Sequence, residues 1–442
     1  DRGDSGGGDA RGGVRGELAA SAVSRVVSLG VSGQQHGMVL LGRSGEALRP
    51  AKLWCDTESA READELGAAS GVPMVPAFTA SKLLWTKRHE ADVFDAATSL
   101  LLPASYVGYW LTGERGMDAG DASGTGLLDV SARAWDGAAA TRVDARARGM
   151  LPPLLAPSER LGYVRDGPLQ AMGLLHGQRV VVSAGSGDNA CAALGAGVIR
   201  DGQVMISLGT SATLFGVSST PVLDPSGVVC PFCDATGRWL PLICLLNCTA
   251  AVDEVRSLTG LSHAELTEAA RKGGVPAGCG GVSMLPYFVG ERTPNWPHAC
   301  GTLLGLRPGS LSPSVLYRAT LEGVALSLAS GAANMRALGM PAPSELFVVG
   351  GGARNPLWLQ IIADVFQTPV RTVAEEEAAA MGAALQGAAC WAEADVAEYV
   401  REHTASGAPA GGVEPNPGVA DVYAEAQERH TMYGQRLFDA TV

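Results

Sequence analysis

The chain lacks any window approaching the roughly 18 uninterrupted apolar residues of a membrane span, and its first residues carry no apolar run of the secretory type. Charge is sparse, at 18% of 442 positions, and Asp and Glu outnumber Lys and Arg by 45 to 33, for a net charge of −12. That balance argues against nucleic acid as the main partner, because counterion release needs clustered cations. Small anions are not excluded, since helix N-termini hold them locally. Nine cysteines, an odd number scattered along a long chain, argue for reduced thiols over a disulfide framework. This usage points to an intracellular compartment, the cytoplasm first, with an organellar stroma or matrix left open. Cys230 and Cys233 make one CxxC, but no second pair or nearby His completes a zinc set, so packing is the expected role. No G-x-G-x-x-G with an acid about twenty residues on is present, which removes the Rossmann dinucleotide reading.

What is present is core. At 46% hydrophobic, the chain has apolar side chains enough for two domains, and two domains imply a cleft. From residue 25 onward strand-like and helix-like runs alternate, an α/β pattern. "RVVSLGVSG" and "GMVLLGRSG" read as strands around a turn, and "GQRVVVSAGSGDN" as a strand running into a small-residue turn. "RDGQVMISLGTSATLFGVSS" reads as a hairpin with Gly209, Thr210 and Ser211 at its bend. "SPSVLYRATLEGVALSLASGAANMRAL" has apolar residues at helical spacing. "ELFVVGGGARNPLWLQIIADVFQTPV" reads as strand, triple-glycine turn and helix, and "EEEAAAMGAALQGAACWAEA" as an Ala-rich helix with acids in its first turn.

Four segments carry candidate chemistry. Asp188 and Asn189 follow a strand and a Gly-Ser-Gly turn, which puts a carboxylate and an amide at the mouth of a sheet. Asp188 there is either a helix N-cap or a general base taking a hydroxyl proton. Gly209, Thr210 and Ser211 offer backbone N–H groups and two hydroxyls to a phosphate chain, or form an ordinary turn. Gly351 and Gly352 permit close approach of a ligand to backbone, with Asn355 and Pro356 opening the next helix. Gln35 and His36 follow a strand at a glycine-bounded turn, where polar side chains suit a polyhydroxylated ligand or are satisfied within the turn. Glu291 and Arg292 read as a structural ion pair.

Taken together and in order, these segments resemble the FGGY family of carbohydrate kinases, and within it the xylulokinases. The stretches that carry the resemblance include "VSGQQHGMVLL", "FTASKLLWTKRHE", "LLPASYVGYWLTGERGMDAGDASGTGLLDV", "AGSGDNACAALGAGVI", "SLGTSATLFGVS", "LPYFVGERTPNWPHACGTLLGL" and "VVGGGARNPLWLQIIADVFQTPV", between about residues 25 and 390. The resemblance implies two ribonuclease H-like domains of the actin, hexokinase and Hsp70 type, a first spanning 14–199 and a second spanning 200–442, around a central cleft. It implies ATP and Mg2+ as cofactors and phosphorylation of a ketopentose, D-xylulose to D-xylulose 5-phosphate. A kinase for ribulose or glycerol, or a truncated, non-catalytic relative, is the alternative. By motif Asp188 matches the catalytic base. Gln35, His36, Asp188 and Asn189 match sugar contacts. Gly209, Thr210 and Ser211 match the phosphate hairpin, and Gly351, Gly352 and Asn355 the turn that holds the adenosine. No membrane or nucleic acid partner is implied, and a homodimer is left open. Ala77 and Val315 depart from the family's two signatures, and no Trp stands near Val255 where bacterial xylulokinases often carry one.

The largest departure expected is at the start. The family's first domain opens with a strand, a D-x-G-T turn and a second strand, whose Asp helps hold the metal. "DRGDSGGGDARGG" has Asp1, Gly3 and Ser5 in a similar order but one apolar residue, Ala10, so residues 1–13 are expected to be disordered or poorly packed. The first domain is therefore expected to lack its N-terminal β-hairpin, no metal ligand is assignable, and the 442-residue form is expected to turn over at least a few hundredfold more slowly than a version with the hairpin.

Overall fold

The computed structural model describes residues 25–174, 176–373, 377–404 and 411–439, so the expectations for residues 1–13 and the helix-like segment after them lie outside the described residues. Two sheets organise the chain. In the first half, Ser28–Leu29 runs parallel to Val181–Ser183, which pairs antiparallel with Arg160–Tyr163. Just beyond, Ser32–Gly33 runs parallel to Ser186–Gly187. These are two stretches of the same pair of extended segments, interrupted where Gly185 takes a positive φ of 70°. A Cβ there would sit 2.8 Å from the Val31 carbonyl oxygen, so the close approach of the two segments requires glycine. The "GMVLLGRSG" strand does not fold back on its predecessor as expected; Val39–Leu41 pairs instead with Ser99–Leu101.

The second half holds a seven-stranded mixed sheet in the order Cys230–Cys233, Trp239–Leu245, Ala212–Gly216, Gln203–Leu208, Glu345–Val349, Val370–Thr372 and Gly411–Val413. Gln203–Leu208 and Ala212–Gly216 form the expected hairpin, with Leu208 opposite Ala212 across the bend. The expected long helix runs Pro313–Ala337, capped by Ser312, whose Oγ accepts from the Val315 N–H at 3.3 Å. Its Leu321, Val324 and Leu328 are fully buried against Ile206, Leu214 and the helix Pro356–Phe366 in the main core. The Ala-rich helix begins at Ala378, so Glu377 precedes it and no acid stands in its first turn; residues 374–376 lie outside the described residues. All nine cysteines are free thiols, with Cys230 packed beside Phe215 and Phe232. Among the described residues no helix is long and apolar enough to cross a membrane.

The helix Asp188–Gly195 is where the two halves meet. Its Ala190, Ala193 and Leu194 pack into a core with Met205 and Phe215 of the second sheet and Ala389 of the Ala-rich helix. A group at the start of this helix is therefore fixed by both halves.

The C-terminal helix Ala420–Phe438 places His430, 2% exposed, against Tyr287 Oη at 3.0 Å and Ser327 Oγ at 3.1 Å. Burial lowers its pKa from 6.5 to about 4. Between those values the unfolded chain binds a proton that the folded chain does not, so folding stability is present above pH 6.5 and is lost as pH falls towards 4. The shift corresponds to roughly 3 kcal/mol at most. Urea unfolding at pH 7 and pH 5 should show this loss, and a His430→Gln variant should show a visibly shallower slope.

Candidate active site

The parallel pairing of the first half decides what meets what. Ser32–Gly33 delivers the turn with Gln35 and His36, and its neighbour Ser186–Gly187 delivers Asp188 and Asn189 at the same end. The two turns touch: Asn189 Nδ2 donates to Gln35 Oε1 at 3.1 Å. Asp188 is not the helix cap that its spacing allowed. Gly187 is the N-cap, and Asp188 Oδ1 accepts from the Asn189 N–H at 2.8 Å and from Asn189 Nδ2 at 3.0 Å. Oδ2 carries no hydrogen bond among the described residues. Burial raises the Asp188 carboxyl above its ordinary range, partly offset by the bond from Asn189.

A buried acid pair stands behind this carboxylate, which sequence reasoning did not single out. Asp118 caps the short helix Ala119–Ala122, accepting from Gly120 N at 3.0 Å and Asp121 N at 2.9 Å, and takes Ser186 Oγ at 2.7 Å. Burial first, then the nearby Asp234, push it up to about 6 against its hydrogen bonds. Asp121 is 1% exposed with neither carboxyl oxygen hydrogen-bonded, and burial with Asp118 and Asp188 nearby raises it well above its ordinary value. Burial thus raises both Asp121 and Asp188, Asp121 with the charges of Asp118 and Asp188 added to it. The signal was an Asp-x-x-Asp in the small-residue run "DAGDASGTG".

His36 is half-buried, with its ring centroid 5.2 Å from Phe78 and 5.6 Å from Phe232, the latter from the edge strand of the second sheet. The contact recurs along that strand and its loop, where Cys233 N bonds Ser123 Oγ at 3.1 Å and Trp239 Nε1 bonds Val130 O at 3.0 Å. The second half therefore forms one wall of the first half's site.

On the opposite side, a cavity of 290 Å³ is lined by Asp188 and Asn189 together with Ser207, Val349 and Gly350. Gly350 has φ 88°, and a Cβ there would lie 2.7 Å from the Leu208 carbonyl oxygen. Beyond the same glycine turn lies a second cavity of 660 Å³, lined by Gly351, Gly352, Asn355, Tyr317 and His263. Asn355 caps the helix Pro356–Phe366 through Oδ1, 3.0 Å from Leu357 N, and its Nδ2 donates to Tyr317 Oη at 3.0 Å. His263 extends this chain, its Nδ1 3.1 Å from Tyr317 Oη and Nε2 3.1 Å from Asp253 Oδ1. Thr210 and Ser211 are exposed at the hairpin bend, whose Gly209 carbonyl accepts from Thr249 N at 3.0 Å and whose Thr210 carbonyl accepts from Cys248 N at 3.2 Å. The structure thus brings Gln35, Asp188 and Asn189 together, and separately Gly351, Gly352 and Asn355, with Gly350 between the two groups. Gly209, Thr210 and Ser211 line neither cavity. The expected Glu291 and Arg292 pair does not form: Glu291 Oε1 accepts from the Leu246 N–H at 2.7 Å, and the Arg292 guanidinium reaches Cys230 Sγ at 3.3 Å.

Two α/β halves facing across a cleft, one ending in a carboxylate and amide, the other in a small-residue hairpin and a glycine turn, define a two-domain phosphotransferase of the actin and hexokinase type. The chain belongs to the FGGY family of carbohydrate kinases: the family's N-terminal domain matches residues 17–195 and its C-terminal domain residues 204–391. It is 35% identical over 429 residues to a xylulose kinase of Haemophilus influenzae, covering 93% of this chain and 85% of that one. To a xylulose kinase of Streptomyces coelicolor it is 40% identical over 397 residues, covering 87% and 79%. Its fold matches the crystal structure of a xyloylose kinase from Brucella ovis with a TM-score of 0.86 and 33% identity, over 94% of this chain and 86% of that chain. A glycerol kinase from Plasmodium falciparum, solved with ADP, shares the fold at a TM-score of 0.81 and 18% identity, over 92% and 83%.

Proposed function

We propose that this kinase transfers the γ-phosphate of ATP to a hydroxyl of D-xylulose, giving D-xylulose 5-phosphate and ADP, with its two domains dividing at residues 199 and 200. The observation that carries the reading is the half-buried Asp188, whose Oδ1 is fixed by Asn189 while Oδ2 carries no hydrogen bond from any described residue. The substrate class comes from the relatives named xylulose kinase.

In this reading the sugar lies between Gln35, His36, Asp188 and Asn189, and the nucleotide runs past the glycine turn with its base beside Gly351, Gly352 and Asn355. Asp188 Oδ2 takes the proton of the attacking hydroxyl as its oxygen bonds to phosphorus and the bond from phosphorus to the bridging oxygen of ADP breaks. The bend Gly209 to Ser211 presents the exposed hydroxyls of Thr210 and Ser211 to the phosphates on the nucleotide side, the Gly209 N–H being taken by the Ser211 carbonyl at 3.0 Å. Among the described residues no group of three His, Cys, Asp or Glu is placed to hold a metal ion. Magnesium, when bound with the nucleotide, would supply charge neutralisation of the phosphates, and no described residue is assigned to hold it.

The test is ADP release from MgATP over D-xylulose, D-ribulose, D-gluconate and glycerol. D-Xylulose is expected to give the highest kcat/KM. A higher value for another acceptor overturns the assigned sugar, and release that no acceptor stimulates overturns the kinase reading for this chain.

A further inference from the structure

The His36 turn is strained, and something must hold it. His36 has φ 66°, a left-handed conformation that a residue with a Cβ adopts only at a cost. Its carbonyl oxygen is the acceptor for two donors from the helix Thr79–His89: Lys82 Nζ at 3.0 Å and Thr79 Oγ1 at 3.2 Å. The same Lys82 amine donates to the Ala77 carbonyl at 2.6 Å, next to Phe78, whose ring lies against His36. One ammonium, 0% exposed, thus ties together the turn that carries the imidazole and the turn that carries its aromatic neighbour.

The ring's hydrogen bonding fixes its tautomer. His36 Nδ1 lies 2.7 Å from the Gly124 carbonyl oxygen, which can only accept, so Nδ1 carries the proton and Nε2 is a bare acceptor when the ring is neutral. Burial is the main cause that lowers its pKa to about 4, opposed by the Gly124 bond, and the charges of Lys82 and Arg292 lower it further. The charged and titratable groups around Lys82 itself are Lys52, Cys55 and Asp56, on the loop that follows the His36 strand. Lys52 is paired with Glu58 at 2.7 Å and sits over Trp85 at 3.6 Å.

We propose that Lys82 is a positioning residue for sugar recognition: it clamps the His36 and Ala77 carbonyls, so that His36 Nε2 is held to accept from a sugar hydroxyl and has no proton to offer the keto oxygen. This rests on the reading of Gln35 and His36 as the sugar turn. Burial pulls the Lys82 amine down to about 8, so its charge fades above that pH although a neutral amine still donates.

The experiment uses the full chain and its Lys82→Met, Lys82→Arg and His36→Ala variants, each measured for D-xylulose and ATP binding, for kcat and KM, and for His36 titration by NMR. Lys82→Met is expected to weaken D-xylulose binding about tenfold or more, the scale of one lost buried hydrogen bond to a charged group. ATP binding should stay within about twofold, and the His36 titration should move up. Lys82→Arg keeps charge and donors, and should recover most of the sugar affinity. If His36→Ala leaves sugar binding unchanged, the sugar-turn reading falls. If His36→Ala weakens it while Lys82→Met changes neither sugar binding nor the His36 titration, the proposal for Lys82 falls alone. Should Lys82→Met not fold, Lys82→Gln, which keeps a donor but no charge, is measured in its place, and unchanged sugar binding together with an unchanged His36 titration in it overturns the proposal.

Discussion

Asp188→Asn should lower kcat by about 10² to 10⁴ while leaving the KM for both substrates within a few-fold. The substitution is close to isosteric, and an asparagine Oδ1 can keep accepting from the Asn189 N–H at 2.8 Å and Nδ2 at 3.0 Å, so the start of the helix should hold its shape. What disappears is the oxygen proposed to take the proton. The loss should fall on kcat because proton transfer belongs to the transition state, whereas the contacts proposed from Gln35 and His36 to the sugar would be made in the ground state as well. The pH profile gives a second check. Burial holds the Asp188 carboxyl above its ordinary range, so the wild-type kcat/KM should fall as pH drops through that raised value and level off above it. Residual turnover in the variant should lose this acid limb. Undiminished kcat would sink the base assignment, and an acid limb that survived in the variant would move it to another group.

The hairpin and the Asp188 turn were legible in the sequence for one reason: each is local. Alternating apolar residues around Gly-Thr-Ser set the register in which Leu208 faces Ala212, and that pairing spans few residues. The triple-glycine turn was legible in the same way, since the close approach at Gly350 leaves no room for a side chain. The reading of Asp188 as a helix cap was a fair inference from spacing, yet Gly187 took the cap because Asp188 was already helical and turned its carboxylate towards Asn189. The pairing of Glu291 with Arg292 failed for a similar reason: adjacent residues need not face each other, and the backbone N–H of Leu246 claimed the carboxylate. Lys82 was out of reach because its bond to the His36 carbonyl joins residues 46 apart in sequence. The acid pair behind Asp188 was hidden for the same reason, since Asp118 meets Ser186 across 68 residues. Nothing in a run of small residues announces that one of its carboxyls will be buried without a partner.

Gly382→Ala should cost both stability and activity, although residue 382 touches no substrate in any reading of the site. The helices Asp188–Gly195 and Ala378–Trp391 cross where Gly195 faces Gly382, one from each half of the molecule. A Cβ on Gly382 would run into the Cys191 carbonyl oxygen, and one on Gly195 into the Ala378 carbonyl oxygen, both in backbone that cannot swing aside. A single methyl must therefore push the helices apart. Overpacking of this kind destabilises by about 1–3 kcal/mol, which thermal unfolding would register as a lower Tm. The helix that moves is the one whose first residue is Asp188, and a 1 Å misplacement of a catalytic group can cost about 10² in rate. The expected pattern is thus a lowered Tm together with a kcat reduced about 10- to 100-fold, with ATP binding, proposed for the cavity of Gly351, Gly352 and Asn355, little changed. Gly195→Ala should give the same pattern, because it forces apart the same crossing from the other side. The double variant should cost less than the sum, since the first methyl already opens the gap that the second needs. Wild-type Tm and kcat in either single variant would show that the crossing has slack, and that the position of Asp188 is not set by the contact between the two halves.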